Sequence, residues 1–256
     1  MADNFEISIF GGGNVATHLA QEILKHPELK LKQMYNRHLT AIQGFGNKTH
    51  ITDDLTQILP ADLFILAITD DAIEDFSEKL AKFDNLTVHT AGSVPMNVLK
   101  TKRKGVFYPF QSFSKNKKQI NFQNIPILIE AAQPKDLKFL KKIGEKFSNN
   151  VIEADSTQRK ALHIAGVFAA NFVNHLYLQA SKVLENNNLP FKLVKPLILE
   201  VAQKVQKMPP KKAQTGPAVR GDSKVVNEHL TFLKDENQNK IYKLLTQSIF
   251  KEYKNE

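Results

Sequence analysis

The sequence predicts an α/β protein in which a doubly wound, mostly parallel sheet is followed by an all-helical region. Three observations lead to this prediction. Short apolar runs alternate with amphipathic patterns up to about residue 155, and only helical patterns follow. A glycine cluster lies between the first apolar run and the first helical pattern. That position is typical of the first turn of doubly wound sheets that bind nucleotides.

Apolar runs of strand length recur through the first part of the chain. The predicted strands are 5–10, 31–36, 49–52, 63–69, 86–92, 105–110, 125–131 and 151–154, and the predicted helices are 14–25, 70–83 and 134–147. The run 63–69 is apolar throughout, which is typical of a strand that is buried on both faces. Acids open the helix 70–83, where they suit the helix dipole, and Pro134 lies in the first turn of the third helix.

Helical patterns alone make up the second part of the chain. The predicted helices are 156–188, 191–208, 223–234 and 239–253, and 209–221 is predicted as a loop. Pro196 marks either an early kink or a late start of its helix. The first of these helices is apolar on most sides, which predicts that it is buried. We therefore expect two domains, a nucleotide-binding domain at 1–155 and a helical substrate and dimerisation domain at 156–256.

The composition narrows the classes of protein and of site. The chain of 256 residues contains no cysteine, which excludes disulfides, zinc–thiolate centres and cysteine nucleophiles, and we predict no metal site. No apolar run approaches the ~20 residues of a membrane span. The N-terminus lacks the pattern of a signal peptide. We expect a cytoplasmic protein without a membrane partner.

The net charge of +9 raises the question of nucleic-acid binding. The lysines form scattered groups, and aromatic residues are not interleaved with them as a base-stacking surface requires. No helix-turn-helix or RNA-binding pattern is present. We therefore interpret the lysines as solvated surface and predict no nucleic-acid partner, although the charge favours small anionic ligands.

The glycine cluster has the pattern G-x-G-x-x-A between a predicted strand and a predicted helix, which is the context of a Rossmann dinucleotide site. Its residues are Gly11, Gly12, Gly13, Asn14, Val15 and Ala16. Gly11 permits the tight turn, and Gly13 lets the backbone approach a pyrophosphate at the helix N-terminus. The alternative is a glycine turn that binds nothing.

The end of the second strand indicates which dinucleotide is bound. A site for NAD usually has an acid there, which holds the ribose 2′-hydroxyl. This chain has Asn36, Arg37, His38 and Thr40 instead. Since a guanidinium donates two hydrogen bonds to a phosphate, we predict NADP (NADPH) rather than NAD. The alternative is that Arg37 is a solvated turn residue.

Other strand ends should line the same cleft, because ligands bind at the carboxyl edge of such sheets. The candidates are Ala67, Thr69 and Asp70 after the run 63–69, and His89, Thr90, Ala91, Gly92 and Ser93 around the end of the run 86–92. The segment YPFQSF, at 108–113, is a further candidate, and simple packing is the alternative.

Two features of the helical region indicate a second polar site. Projected as an α-helix, one sector holds His163, Gly166, Ala170, Asn171 and Asn174. That sector is interpreted either as a wall of the substrate site or as an interhelical network or dimer seam.

In the loop 213–222, Arg220 precedes a helix that Asp222 or Ser223 can cap. The guanidinium and the helix N-terminus together suit a substrate carboxylate. The alternative is an ordinary loop with Arg220 paired to Asp222 or Glu228, and we interpret the RGD tripeptide as chance.

Several segments together resemble a known family. GGGNVATHLA, HTAGSVP, YPFQSF, LHIAGVFAANFVNHLY and AQTGPAVRGD are similar to proteins that have a Rossmann-like domain followed by the DUF2520 region. That family is similar in layout to pyrroline-5-carboxylate reductase and to 6-phosphogluconate dehydrogenase-like oxidoreductases. The resemblance implies an NADP-linked reductase with a helical C-terminal domain of the 6-phosphogluconate dehydrogenase type, which often forms a homodimer through those helices.

The resemblance is incomplete at the proton donor. Related hydroxyacid dehydrogenases carry a lysine on the first helix of the second domain, whereas GVFAANFVNH has none. Imine reductases look closer, because an iminium needs little acid assistance. We predict His163, Asn171, Asn174 and Arg220 as catalytic residues of an NADPH-dependent reductase that acts on a small carboxylate-bearing imine or carbonyl compound. The alternative is a non-catalytic protein that binds or senses NADP(H).

Overall fold

The structure, a computed structural model, describes residues 4–114 and 120–254. The chain divides into two compact units, Met1–Phe168 and Ala169–Glu256. The first unit contains the sheet and the second contains helices only. The predicted division after residue 155 remains a prediction about domains.

The described residues of the first unit form one eight-stranded sheet at its centre. Its strands are β1 (Phe5–Phe10), β2 (Leu29–Tyr35), β3 (His50–Thr52), β4 (Leu63–Leu66), β5 (Leu86–His89), β6 (Arg103–Pro109), β7 (Ile127–Ala131) and β8 (Val151–Glu153). The order is β3-β2-β1-β4-β5-β6-β7-β8. Strands β1 to β6 run parallel, whereas β7 is antiparallel to β6. The predicted doubly wound, mostly parallel sheet is confirmed, and the ends of β1, β2, β4, β5 and β6 share its carboxyl edge.

Helices pack on both faces of this sheet. They are α1 (Asn14–Ile23), α2 (Ile73–Lys79) and α3 (Pro134–Phe147). One apolar cluster joins α1 and α3 to residues such as Ile9 and Ile65, and the other joins α2 to Phe10 and Phe64. Neighbouring strand residues thus face opposite clusters, as the two-residue period of a strand requires.

Six further α-helices follow in the part of the chain that the structure describes. They are α4 (Ser156–Gly166), α5 (Val173–Glu185), α6 (Lys195–Lys207), α7 (Pro210–Ala213), α8 (Ser223–Phe232) and α9 (Glu236–Tyr253). Asp155 opens α4 with a capping box that includes Gln158. Pro196 lies in the first turn of α6, so the late start is correct and the kink is not. The predicted loop at 209–221 was wrong at its beginning, because Pro209 and Pro210 start the short helix α7.

One long helix runs from Ser156 to Glu185, but its middle is not α-helical. Val167–Phe172 forms a π-helix between α4 and α5. A π turn closes i→i+5 hydrogen bonds and therefore contains about one residue more than an α turn. The α-helical projection from which the polar sector was predicted consequently applies only as far as Gly166.

The prediction that this helix is buried was wrong for the single chain. Within Ser156–Glu185 only Arg159 and Gln179 are buried, and Phe168 and Phe172 are 65% and 51% exposed. The expectation that no segment reaches membrane-span length is also corrected. An 18-residue window of this helix has a mean hydropathy of 1.2, which meets the length and composition of a span.

The second unit has almost no closed core of its own. Among its described residues only Gln179, Ala218 and Gln238 are buried. Its large exposed apolar side chains are Phe172, Leu176, Leu178, Leu189, Leu193, Leu197, Leu199, Val201, Val205, Met208, Phe232, Leu244, Leu245 and Phe250. So much exposed apolar surface is typical of a surface that binds another protein or a membrane.

Candidate active site

The glycine turn after β1 packs tightly against its neighbours. Gly11 has φ +129°, and its N–H donates to the Tyr35 carbonyl at 2.8 Å. A Cβ atom at residue 11 would overlap the Ala67 carbonyl oxygen. At residue 12 a Cβ atom would lie 2.8 Å from the Ala41 Cβ atom. The fold therefore excludes a side chain at both Gly11 and Gly12, for reasons that require no ligand.

Gly13 differs from its two neighbours because the space beside it is empty. A Cβ atom there would have no heavy atom within 4 Å. Gly13 is also the N-cap of α1, and neither a side-chain cap nor an acid occupies the first turn that contains Asn14 and Val15. Since packing does not require this glycine, the open space and the uncapped helix N-terminus suit a phosphate group.

The end of β2 lies beside this turn. Asn36 Cγ would be 3.2 Å from a Cβ atom at Gly12, and the Asn36 side chain donates to the His38 carbonyl at 2.9 Å. Arg37 and His38 are exposed, and Arg37 makes no hydrogen bond or ion pair within the described ranges. Burial raises the pKa of the neighbouring Tyr35, and Arg37 opposes this effect. Arg37, which has no partner among the described residues, thus directly follows the residue that lies beside the glycine turn.

The ends of β4 and β5 are held by backbone contacts and by one histidine. Thr90 N–H donates to the Leu66 carbonyl at 3.2 Å, and Ala91 N–H donates to His89 Nδ1 at 3.2 Å. Thr90 and Ala91 are consequently buried, as is Ala67 at the end of β4, whereas Thr69 is exposed. These predicted residues do gather at the carboxyl edge.

His89 itself is fully buried and must be neutral. Burial lowers its pKa to about 3, and the Arg159 guanidinium contributes to the decrease. Its Nε2 atom has no hydrogen-bond partner of good geometry, and the nearby Pro95 carbonyl offsets the effect of burial only in part. Because Nδ1 accepts from Ala91, the ring proton is on Nε2.

Three distant segments meet at His163. The hydroxyl of Tyr108, on β6, lies 3.1 Å from His163 Nδ1. A Cβ atom at Gly92 would overlap the same nitrogen, so the imidazole rests on the backbone after β5. One turn further along the helix, a Cβ atom at Gly166 would lie 2.7 Å from Phe110 Cε2. His163 and Gly92 are thereby brought together, and Tyr108 is a contact that the predicted site residues did not include.

Tyr108 keeps its phenol proton at neutral pH. Burial raises the pKa of Tyr108, and the carboxylate of Asp70 after β4 raises it further. The rule that strand ends line the cleft had nominated the segment 108–113 but could not separate a site residue from a packing residue. Within the described ranges no group of three or more His, Asp and Glu residues is placed to hold a metal ion.

A buried ion pair fixes the helix turn that precedes His163. Arg159 is fully buried, and its guanidinium donates to the Glu130 carboxylate on β7 and, at 2.6 Å, to the Val94 carbonyl. Ser156 donates to the same carboxylate and accepts from Met96 N–H at 3.2 Å. The pair therefore ties α4 to the loop after β5. No signal in the sequence could have revealed this pair, because a charged residue in a first helical turn is usually solvated.

The segment after β6 crosses the start of α1. The Asn14 side chain donates to the Phe113 carbonyl at 2.9 Å, and His18 Nε2 is 2.9 Å from the Ser114 carbonyl oxygen. The Phe113 ring packs against His18 and Phe122. Asn14, predicted as a cofactor residue, thus holds the end of the YPFQSF segment beside the glycine turn.

The predicted residues of the second unit are exposed. Asn171 lies in the π-helix and Asn174 in α5, and neither side chain makes a hydrogen bond to another described residue. The neighbouring His175 Nε2 instead meets the buried Gln179 side chain at 2.9 Å. The catalytic roles of Asn171 and Asn174 stay predictions.

The loop that contains Arg220 is tightly folded. Gly216 and Gly221 have φ of +117° and +66°, and Asp222 N–H donates to the Pro217 carbonyl at 2.9 Å. Asp222 caps α8 through Val225 N–H at 3.1 Å. The aspartate of the RGD tripeptide is therefore a helix cap. Arg220 is exposed and makes no ion pair with the described acids, so the alternative pairing with Asp222 or Glu228 is not observed.

Known proteins resemble this chain in sequence and in fold. Residues 125–249 match the family model of a domain of unknown function, DUF2520. A putative NADP oxidoreductase of Bacteroides fragilis is 40% identical, with 98% of this chain and 100% of that one covered and a TM-score of 0.90. No curated protein matches the chain.

Two more distant structures share the fold. An imine reductase of Myxococcus stipitatus, solved with NADP+, is 13% identical over 98% of this chain and 93% of its own, with a TM-score of 0.63. A 1-pyrroline-5-carboxylate reductase of Streptococcus pyogenes is 13% identical over 96% of this chain and 98% of its own, with a TM-score of 0.64. At such identities the similarity establishes the architecture alone.

Proposed function

We propose that this chain, which belongs to the family of the Bacteroides fragilis oxidoreductase, with a Rossmann domain followed by a DUF2520 region, is an NADPH-dependent reductase. Its substrate is a small imine or carbonyl compound that carries a carboxylate. The observation that carries the proposal is the position of His163 and Tyr108. They form a hydrogen-bonded pair at the same sheet edge as the open glycine turn, next to Gly92.

The described residues suit NADP(H). The empty space beside Gly13 and the uncapped α1 N-terminus receive the pyrophosphate, and the unpaired Arg37 receives the 2′-phosphate. When bound, the cofactor supplies a hydride. Thr69, Thr90, Ala91 and Gly92 then line the nicotinamide end of the cleft, because they follow β4, which pairs with β1, and β5, the next strand of the sheet.

The residues around His163 handle the proton. His163 Nδ1 is engaged by Tyr108, and Nε2 makes no hydrogen bond to another described residue. Histidine can donate a proton near neutral pH, so Nε2 is the group that we assign to protonation or orientation of the substrate nitrogen or oxygen. An imine is favoured over a ketone because the long helix offers no lysine in GVFAANFVNH.

Three residues of the second unit are also assigned to substrate binding. Asn171 and Asn174 form part of the substrate wall, and Arg220 binds the substrate carboxylate through two hydrogen bonds. The proposed role of Arg220 is supported by its exposure and by the lack of an ion-pair partner among the described residues, in a loop fixed by Gly216 and Gly221. The net charge of +9 also favours an anionic substrate.

The assembly is proposed to be a homodimer through the C-terminal helices, with a cytoplasmic location. Support comes from the second unit, which has three buried residues among those described and many exposed apolar side chains. A helical domain of this size normally encloses a core, so a second copy is needed to cover this surface.

Turnover with a substrate panel tests the proposal. NADPH is mixed with the protein and cyclic imines or keto acids, with and without a carboxylate, and the loss of reduced nicotinamide is followed. We expect turnover with carboxylate-bearing imines, and we expect Arg220→Ala to remove it without weakening NADPH binding. Because the chain has no tryptophan, cofactor fluorescence reports that binding with little protein background. NADPH binding without turnover of any compound would favour the alternative, a non-catalytic NADP(H)-binding or sensing protein.

A further inference from the structure

Tyr108 and His163 are 55 residues apart in sequence, yet each is the other's only hydrogen-bond partner among the described side chains. A neutral imidazole has one nitrogen that donates and one that accepts. Which nitrogen carries the proton depends on the partner that the other nitrogen meets. The identity of the donor in this pair therefore decides what His163 can offer to a substrate.

The surroundings of the pair indicate that the phenol is the donor. Tyr108 is half-buried, and burial together with the Asp70 carboxylate raises the pKa of its hydroxyl, so the phenol retains its proton. That proton needs an acceptor, and His163 Nδ1 is the acceptor that lies within reach, at 3.1 Å. A protonated phenol can donate its O–H to the unprotonated nitrogen of a neutral imidazole.

The position of the ring is fixed from two further sides. The backbone of Gly92 lies against Nδ1, where a Cβ atom would overlap it. Arg159, four residues before His163, is fully buried and bound to Glu130 and Val94, which fixes the preceding turn of α4. With Nδ1 facing Tyr108 and Gly92, Nε2 is the nitrogen that stays available.

We propose that Tyr108 is a positioning residue whose hydroxyl donates to Nδ1 of His163, which fixes the imidazole as the tautomer that carries its proton on Nε2. In consequence, His163 presents an N–H donor to the substrate in every molecule rather than in a fraction of them. This role in catalysis rests on the proposed reductase function, whereas the tautomer itself is a property of the free protein.

Nuclear magnetic resonance of histidine-labelled protein tests the tautomer without substrate or cofactor. The spectrum is recorded at about pH 8.5, where ordinary imidazoles are neutral, and His163→Gln assigns the signals among the eight histidines. We expect His163 Nδ1 to resonate as an unprotonated, hydrogen-bonded nitrogen and Nε2 as a protonated one. Tyr108→Phe should remove the hydrogen-bond shift at Nδ1 and populate both tautomers.

The chain offers a matched control in a second pair of the same kind. His229 Nδ1 lies 2.7 Å from the Tyr242 hydroxyl in the helical unit. Tyr242→Phe should change the His229 signals and leave those of His163 unchanged. Gly92→Ala is a second way to disturb His163 in case Tyr108→Phe does not fold, because the added methyl group displaces the ring.

Kinetics test whether the tautomer matters for the reaction. With any imine that turns over, Tyr108→Phe should lower kcat roughly 10- to 100-fold, with NADPH affinity unchanged; the effect is smaller than the roughly 10²- to 10⁴-fold contribution of a positioned acid, because His163 itself remains. A His163 proton on Nδ1 in the unmodified protein, or an unaltered His163 spectrum or unaltered kcat in Tyr108→Phe, would overturn the proposal. If no compound turned over, the reductase function would fail, and the spectra alone would decide the tautomer.

Discussion

The imidazole of His163 packs directly on the backbone of Gly92, so that a Cβ atom at residue 92 would overlap its Nδ1 atom. Gly92→Ala should therefore displace the ring and lower the free energy of unfolding by about 1–3 kcal/mol, as overpacking generally does. Urea unfolding measures the loss of stability, and turnover should disappear with it. Gly44→Ala is the matched control, since a Cβ atom at Gly44 has no heavy atom within 4 Å. Equal stability of Gly92→Ala and the unmodified protein would show that His163 moves away at no cost.

Gly13→Val should abolish NADPH binding and leave the protein folded. The added side chain enters space that no protein atom occupies, and the pyrophosphate would need that space. Cofactor fluorescence measures the binding, and circular dichroism measures the fold. Gly11→Val provides the contrast, because its side chain would overlap Ala67 and should unfold the domain. Normal NADPH affinity in folded Gly13→Val would place the phosphate site elsewhere.

Arg37→Ala should reduce the preference for NADPH over NADH. The loss of a charge-assisted contact to the 2′-phosphate costs roughly 1.5–3 kcal/mol, or about 10- to 150-fold in affinity. Binding titrations with both cofactors measure the ratio. Lys48→Ala also removes one positive charge, but Lys48 precedes β3 and so lies at the amino edge of the parallel strands. This variant should leave the ratio unchanged. The assignment of NADP fails if the unmodified protein binds both cofactors equally.

His89 should make the protein lose stability in mild acid. Its folded-state pKa of about 3 lies below the ordinary ~6.5 of an unfolded histidine, so the unfolded state binds more protons between these values. The free energy of unfolding should fall as the pH drops from ~6.5 towards 3, by up to ~1.4 kcal/mol per pH unit. Above pH ~6.5 His89 is neutral in both states, so it causes no loss of stability there.

The comparison with His89→Gln isolates that effect from the titration of carboxylates. Unfolding by urea at several pH values should show a shallower loss of stability for His89→Gln than for the unmodified protein. His50→Gln, at an exposed histidine, should follow the unmodified protein. Parallel pH profiles for all three proteins would mean that His89 becomes protonated in the folded state without penalty.

Local patterns were sufficient for the sheet and for the glycine turn. The run 63–69 and the cluster at Gly11 to Gly13 each determine their structure within a few residues, so the mostly parallel sheet and the turn followed from general rules. The pairing of Tyr108 with His163 depends instead on how two segments 55 residues apart pack together. No periodicity in a single sequence contains that information.

Two other features also depended on tertiary context. No local pattern in the sequence relates Arg159 to Glu130, and only the position of Glu130 on β7 makes the two a buried ion pair. The long helix was apolar enough to suggest burial, but burial depends on what packs against the helix, and Phe168 and Phe172 stay 65% and 51% exposed in the single chain. The π-helix at Val167–Phe172 likewise changed which residues share a face.

The exposure of the helical unit leads to the last prediction, a homodimer in solution. Leu197 on α6 and Leu244 on α9 are 63% and 67% exposed, and many other apolar side chains of this unit are exposed as well. Single exposed leucines are normal in a monomer, but so many exposed apolar side chains indicate an interaction surface. Burial of a leucine stabilises by about 1.5–3 kcal/mol, so an interface that covers several of them would supply the missing core.

Light scattering at micromolar concentration should give twice the mass of 28.9 kDa. Leu197→Glu combined with Leu244→Glu should shift the protein towards monomer and lower the stability of the helices, because a charge would have to be buried in the interface. The unmodified protein is also mixed with lipid vesicles. This tests whether a membrane, rather than a second copy, covers the apolar helix of span length, Ser156–Glu185. A monomer that remains free of vesicles would contradict the dimer, and a monomer that binds them would assign the exposed surface to a membrane instead.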